Sequence, residues 1–153
     1  MTKVLFVCLG NICRSPAAEA IFEKKVSERG LLDKVFFESA GILDQHEGEK
    51  CDPRMARALQ SRGYASTTRS RPVRKEDFDK FDYIIGMDYA NREDLLRIQP
   101  ENPHAKLHLM CEFRKNRQQE EVADPYYGGE AGFELVMDIL EDAIDGFMDK
   151  TLA

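Results

Sequence analysis

Residues 4–18 read Val-Leu-Phe-Val-Cys-Leu-Gly-Asn-Ile-Cys-Arg-Ser-Pro-Ala-Ala, which sets Cys8 and Arg14 at the two ends of one tight loop between an apolar run and a helix start. A cysteine and an arginine so spaced can share one tetrahedral anion. The guanidinium fork matches two of its oxygens, and backbone N–H groups in the bend converge on the others. The positive end of the helix that opens at Ser15-Pro16 adds to the same field. That field favours thiolate over thiol at Cys8, and a thiolate facing a bound phosphorus is placed to attack it. For an isolated pair at this spacing, a structural thiol beside a surface cation is the commoner meaning. Here the apolar run, Gly10, the Ser-Pro start and Arg14 coincide, and the reactive meaning is favoured. Gly10 is expected to take positive φ where the loop turns, with Asn11 tolerant of the left-handed region.

The elements that must hold this loop follow from periodicity. Residues 3–7 form a short apolar run of the kind buried in a parallel sheet, and Ala18, Ile21, Phe22 and Val26 then share one helical face. Ser15 suits the N-cap, Pro16 the first helical position and Gly30 the left-handed residue past the end, which predicts a helix over about 16–29. Val35-Phe36-Phe37-Glu38-Ser39 is a second strand, and Asp52-Pro53 opens a helix through Met55, Ala58 and Leu59 that Gly63 stops. Tyr83-Ile84-Ile85-Gly86 is a third strand, followed by a helix over about 90–98 that Pro100 ends. Lys106-Leu107-His108-Leu109 is a weaker fourth strand, and Phe133, Val136, Leu140, Ile144 and Phe147 line one face of a last helix. Alternating strands and helices imply a parallel sheet with helices on both faces, an α/β sandwich whose ligand crevice lies beyond the carboxyl ends of the strands. The loop after the first strand falls there. Strand order is not readable from the alternation. Residues 62–75, rich in Ser, Thr and Arg, read as an exposed connection with a solvated basic surface.

The whole chain sets bounds. Its 153 residues suit one domain spanning 1–153, and 42% hydrophobic with 33% charged residues suit a folded globular chain. A net charge of −6, from 22 basic and 28 acidic side chains, argues against nucleic acid or an anionic membrane as partner, so any anion must be captured locally. The first residues are too short an apolar run for a signal-peptide core or a membrane span, which points to the cytoplasm. A monomer is favoured. The cysteines at 8, 13, 51 and 111 contain no CxxC pair and read as reduced thiols, and neither metal nor other cofactor is expected. Cys13, five residues after Cys8, reads either as a redox partner able to close a reversible disulfide or as a small buried side chain.

Two longer stretches carry a resemblance. Val7-Cys8-Leu9-Gly10-Asn11-Ile12-Cys13-Arg14-Ser15-Pro16 resembles the signature loop of the low-molecular-weight protein tyrosine phosphatases, and Asp124-Pro125-Tyr126-Tyr127-Gly128-Gly129 is similar to that family's second motif. Ser39-Ala40-Gly41, Asp52-Pro53-Arg54, Met87-Asp88 and the final helix fall in the family's order. The resemblance implies a three-layer α/β/α domain with a four-stranded parallel sheet of order 2-1-3-4. It implies metal-independent hydrolysis of protein phosphotyrosine or small aryl phosphates through a cysteinyl-phosphate, with inorganic phosphate as product. Cys8 would be the nucleophile, Arg14 the phosphate and transition-state binder, and Asp124 the general acid, although Asp-Pro alone reads as an ordinary acidic turn. Backbone amides of Leu9, Gly10, Asn11, Ile12, Cys13 and Ser15 would hold the phosphate oxygens, and the Ser15 hydroxyl would stabilise the departing thiolate. Asn11 and Ser39 would brace the loop, Asp88 and Asn91 would enter a helix near the site, and Tyr126 and Tyr127 would wall the substrate cleft. Gln45 lines that cleft where relatives usually carry an aromatic, so ring stacking is not available from it. Relatives acting on phosphoarginine carry threonine where this chain has Ile12, which disfavours that substrate.

Two alternatives use the same residues differently. Arsenate reduction would need resolving thiols, and residues 61–110 contain none, leaving Cys13 as the candidate. A non-catalytic phosphate-binding module would keep Arg14 and the amide cradle but has no use for Cys8 together with Asp124.

Overall fold

The computed structural model describes residues 1–126 and 128–152. Four strands, β1 (Thr2–Cys8), β2 (Val35–Gly41), β3 (Tyr83–Gly86) and β4 (Lys106–Leu109), form one sheet of order β2-β1-β3-β4 with every neighbouring pair parallel. The registers Cys8 to Gly41 and Val7 to Gly86 bring the carboxyl ends of β1, β2 and β3 to one edge. Each parallel pair needs a crossover, supplied by α1 (Arg14–Glu28), α2 (Pro53–Ser61), α3 (Asp77–Lys80) and α4 (Tyr89–Ile98), with α5 (Glu130–Thr151) closing the chain.

The pleat of β1 splits the interior in two. Val4, Phe6 and Cys8 join Ile21, Phe22, Leu59, Leu140, Ile144 and Phe147 on the face covered by α1, α2 and α5. Leu5 and Val7 point the other way, into a smaller core with Phe78, Phe81, Ile84 and Leu95. A central strand without a polar side chain from Val4 to Val7 is what burial on both faces requires. Gly30 and Gly63 have φ of +71° and +83° just beyond α1 and α2 and so stop those helices as expected.

Two local readings change. α3 and the 3₁₀ turns Leu32–Lys34 and Met110–Phe113 are too short to leave a period in the sequence. Residues 62–75 do not simply form a solvated basic surface. Arg69 and Arg74 are exposed, whereas Arg71 reaches inward to Glu38 and Asp77, and Arg62 bonds Glu134, Asp138 and Glu141 of α5. His104 and His108, four residues apart, have separate carboxylate partners in Asp82 and Glu112.

Candidate active site

The loop from Cys8 to Arg14 is held from outside by its carbonyl oxygens. Those of Cys8 and Leu9 accept the N–H groups of Ile42 and Leu43, that of Gly10 accepts the Ser70 hydroxyl at 3.0 Å, and that of Ile12 accepts the Asp52 N–H at 2.7 Å. With the carbonyls turned outward, the N–H groups face the loop centre. Among the described residues none accepts from the N–H of Leu9, Gly10, Ile12 or Cys13. A ring of such donors is an anion site.

Asn11, not Gly10, makes the turn. It carries φ of +57°, and Gly10 stays outside the left-handed region. Asparagine is among the few residues other than glycine admitted there. Its Oδ1 accepts the Arg71 N–H at 3.0 Å, while Nδ2 donates to Ser15 Oγ at 2.8 Å and Ser39 Oγ at 3.0 Å. Gly10 is small for another reason: a Cβ there would sit 3.0 Å from the His46 ring. Gly41 likewise lies against the backbone of Gly10 and Asn11, where a Cβ would come within 3.1 Å.

α1 starts at Arg14 with Cys13 as N-cap, so the expected Ser15 cap does not form. Ser15 instead turns its hydroxyl to Cys8, with Oγ 3.0 Å from Sγ. Because Asn11 already donates into that oxygen, the hydroxyl hydrogen is free for the sulfur, the one competing acceptor among the described residues being the Ala40 carbonyl at 3.4 Å. Cys8 is 2% exposed and Arg14 is equally buried.

Arg14 is fixed by two bonds from one nitrogen, to Asp88 Oδ2 at 2.6 Å and to the Val122 carbonyl at 2.9 Å. Asp88 is held in turn by capping α4, where its Oδ1 accepts the Asn91 N–H at 2.7 Å. Burial opposes the Arg14 charge, yet the Cys8 sulfur, Asp88 and Asp124 outweigh it and push its ionisation further up. Val122 donates its own N–H to Met87 at the end of β3, so Arg14 and β3 together place the segment that carries Asp124. The second guanidinium nitrogen lies 3.6 Å from Asp124 Oδ2. Asp124 is 38% exposed and its Oδ1 accepts the Tyr126 N–H at 3.0 Å.

These groups line a cavity of about 100 Å³. Cys8, Leu9, Gly10, Ile12, Cys13 and Arg14 form its floor, Asp124 and Tyr126 one wall, and Leu43, Gln45 and His46 the other. Asn11, Ser15 and Ser39 stand behind the floor rather than in it. Tyr127 lies outside the described residues. Leu43 and His46 are the wall residues that sequence reasoning missed. Leu9 and Leu43 are 39% and 41% exposed, an apolar rim that no periodicity marks because both lie in loops. The His46 ring meets Tyr126 edge-on at 6.5 Å and bonds Glu49 through Nδ1. Tyr126 also receives the Arg54 guanidinium at 5.3 Å, and Arg54 is tied to Asp52, the N-cap of α2.

Residues 3–153 match the family model described as low molecular weight phosphotyrosine protein phosphatase. The chain belongs to this family. It is 40% identical to the low molecular weight phosphotyrosine protein phosphatase of Sus scrofa over 150 residues, covering 97% of this chain and 94% of that one. A protein tyrosine phosphatase of Entamoeba histolytica, crystallised with Hepes in its active site, superposes with a TM-score of 0.95 at 48% identity over 98% of this chain and 96% of that one. A drosophila arginine phosphatase superposes with a TM-score of 0.93 at 31% identity over 99% of each chain. The likeness of backbone therefore extends across relatives whose names give different phosphorylated residues, and side chains at the cleft must choose between them.

Proposed function

We propose that this chain is a protein tyrosine phosphatase that hydrolyses phosphotyrosine and small aryl phosphate monoesters through a cysteinyl-phosphate. The observation that carries the reading is the convergence of Cys8 Sγ, the inward N–H groups and the Arg14 guanidinium on one cavity that Asp124 overlooks. The phosphate oxygens sit among the amides of Leu9, Gly10, Asn11, Ile12, Cys13 and Ser15 and the Arg14 fork, which hold charge as it shifts toward the leaving oxygen. Cys8 attacks phosphorus in line as the ester bond breaks, and protonated Asp124 gives its proton to the departing phenolate. Asp124, now ionised, takes a proton from water as that water attacks the phosphocysteine. The sulfur leaves as a thiolate that accepts the Ser15 hydroxyl hydrogen, and inorganic phosphate departs.

The apolar rim of Leu9 and Leu43 and the ring of Tyr126 suit a phenyl group, while Gln45 contributes amide contacts in place of a stacking ring. Ile12 keeps the floor of the cleft apolar, which favours an aryl ester over a phosphoguanidine. Tyr127 is proposed to continue the Tyr126 wall. Cys13 is proposed as the redox partner of Cys8: peroxide converts the Cys8 thiolate to a sulfenic acid, and the Cys13 thiol displaces water from it to close a disulfide. Burial, Asp52 and Cys8 push the Cys13 thiol well up, which keeps it protonated until that step. The reading also takes residues 1–153 as a single domain acting as a monomer in the cytoplasm; no described helix is long and apolar enough to cross a membrane.

The deciding experiment is steady-state hydrolysis of a phosphotyrosine peptide, a phosphoarginine peptide and p-nitrophenyl phosphate by the wild-type chain and Cys8→Ser. Turnover of the first and third, lost in the variant, is expected. Thiol-dependent arsenate consumption without ester hydrolysis, or peptide binding without turnover, would overturn it.

A further inference from the structure

Behind the loop lies a carboxyl group that the mechanism does not use. Glu19 sits four residues after Ser15, one turn along the same face of α1, and is only 7% exposed. Among the described residues no cation pairs with it, and its Oε1 is buried without a hydrogen-bond partner. Its neighbours are the hydroxyls of Ser39 on β2 and of Thr68 in the connection after α2. Ser39 is the residue that accepts Asn11 Nδ2, so Glu19 borders the end of a hydrogen-bonded chain that runs from Ser39 through Asn11 and Ser15 to Cys8.

We propose that Glu19 is a positioning residue whose protonation state sets the field behind the anion cradle: neutral, it leaves the cradle positive, and ionised, it opposes both the Cys8 thiolate and a bound dianion. This rests on the loop binding a tetrahedral dianion, as argued above. An oxygen buried without a donor is costly as a carboxylate and much less so as part of a neutral acid, whose proton one of the hydroxyls accepts. The charged groups that act on Glu19 are themselves acidic. Glu23 lies one turn further along α1, and Glu38 lies on β2, where Arg71 is shared between it and Asp77. From the connection after α2, Ser66, Thr67 and Thr68 border the same recess as Glu19 and bring no charge, and the Ser66 oxygen is buried without a partner too. Burial raises the Glu19 ionisation to about 7; the Ser39 hydroxyl is the next largest influence and pulls it down, Glu23 and Glu38 add smaller upward pushes, and Thr68 a smaller downward one. Its charge therefore changes across the neutral range.

The test is competitive inhibition by inorganic sulfate, a tetrahedral dianion that does not titrate over this range, in wild type and Glu19→Gln. At about pH 5.5 the two inhibition constants should agree within twofold, and at about pH 8.5 sulfate should bind wild type more weakly by on the order of tenfold, the size expected for a charge one helical turn from the cradle. Groups that Glu19 does not act on, His46, Asp88 and Asp124 among them, cancel in that ratio. A ratio that does not change with pH overturns the inference while leaving the proposed reaction intact, whereas no sulfate inhibition at any pH removes the dianion site itself. Should Glu19→Gln not fold, infrared difference spectra of the wild type decide. Loss of a buried protonated-carboxyl stretch near neutral pH supports the proposal, and loss complete by about pH 5 contradicts it.

Discussion

The chemistry at Cys8 depends on hydrogen positions that the residue types settle. An amide that can only donate, Asn11 Nδ2, points at Ser15 and leaves the Ser15 hydrogen to the sulfur. Ser15→Ala should therefore slow the second step, in which the thiolate departs, by tenfold or more, and pre-steady-state kinetics should show phosphoenzyme accumulating. Asp124→Ala should cost on the order of 10²–10⁴ with phenyl phosphate and much less in the first step with an activated nitrophenol, because a stable leaving anion needs no proton. Equal losses in single-turnover cleavage of the two esters would remove Asp124 from its role.

Among the elements, the strand, the loop and the start of α1 could be read from the sequence because each is encoded locally: an unbroken apolar run, small residues at the bend, and a Ser-Pro pair. What braces the loop could not. Asp52, Ser70 and Arg71 reach it from sequence distances of about 40 and 60 residues, and nothing in Ser70-Arg71 distinguishes them from the exposed Arg69 and Arg74 beside them. The Ser15 cap was misread because α1 starts two residues earlier than the Ser-Pro pair suggests, with Cys13 as N-cap, and the Ser15 hydroxyl is engaged by Asn11 and Cys8 instead. Gly10 and Gly41 were legible as small residues, though close packing rather than positive φ is what demands them. Gly146 in α5 gives the sharpest test of such an approach. A Cβ there would run into the Phe113 carbonyl, so Gly146→Ala should destabilise the fold by about 3 kcal/mol in urea unfolding despite the better helix propensity of alanine. An unchanged midpoint would mean that α5 does not press on the Met110–Phe113 turn as described.

For the molecule as a whole, Glu19 ties stability to pH. Its ionisation lies near 7 in the fold against an ordinary 4.5, so the folded state holds this proton more tightly than the unfolded chain does. The contribution is fully present below about pH 4.5 and is lost as pH rises through about 7, a change on the order of 3 kcal/mol. Glu19→Gln should remove that slope: thermal scans should show wild type losing several degrees relative to the variant between about pH 4.5 and pH 8. Parallel melting curves would place the Glu19 carboxyl in contact with water. The net charge of −6 gives the same molecule no general attraction for phosphate esters, so the hold on the phosphate group itself must come from the cradle.

That dependence on one loop is tested most directly by stopping the reaction in acid during steady turnover of p-nitrophenyl phosphate and mapping the modified peptide by mass spectrometry. A phosphoryl group on Cys8, more abundant in Ser15→Ala, is the predicted result. Phosphate release at the full rate with Cys8 unmodified at every quench time, or a phosphoryl group on another residue, would contradict it.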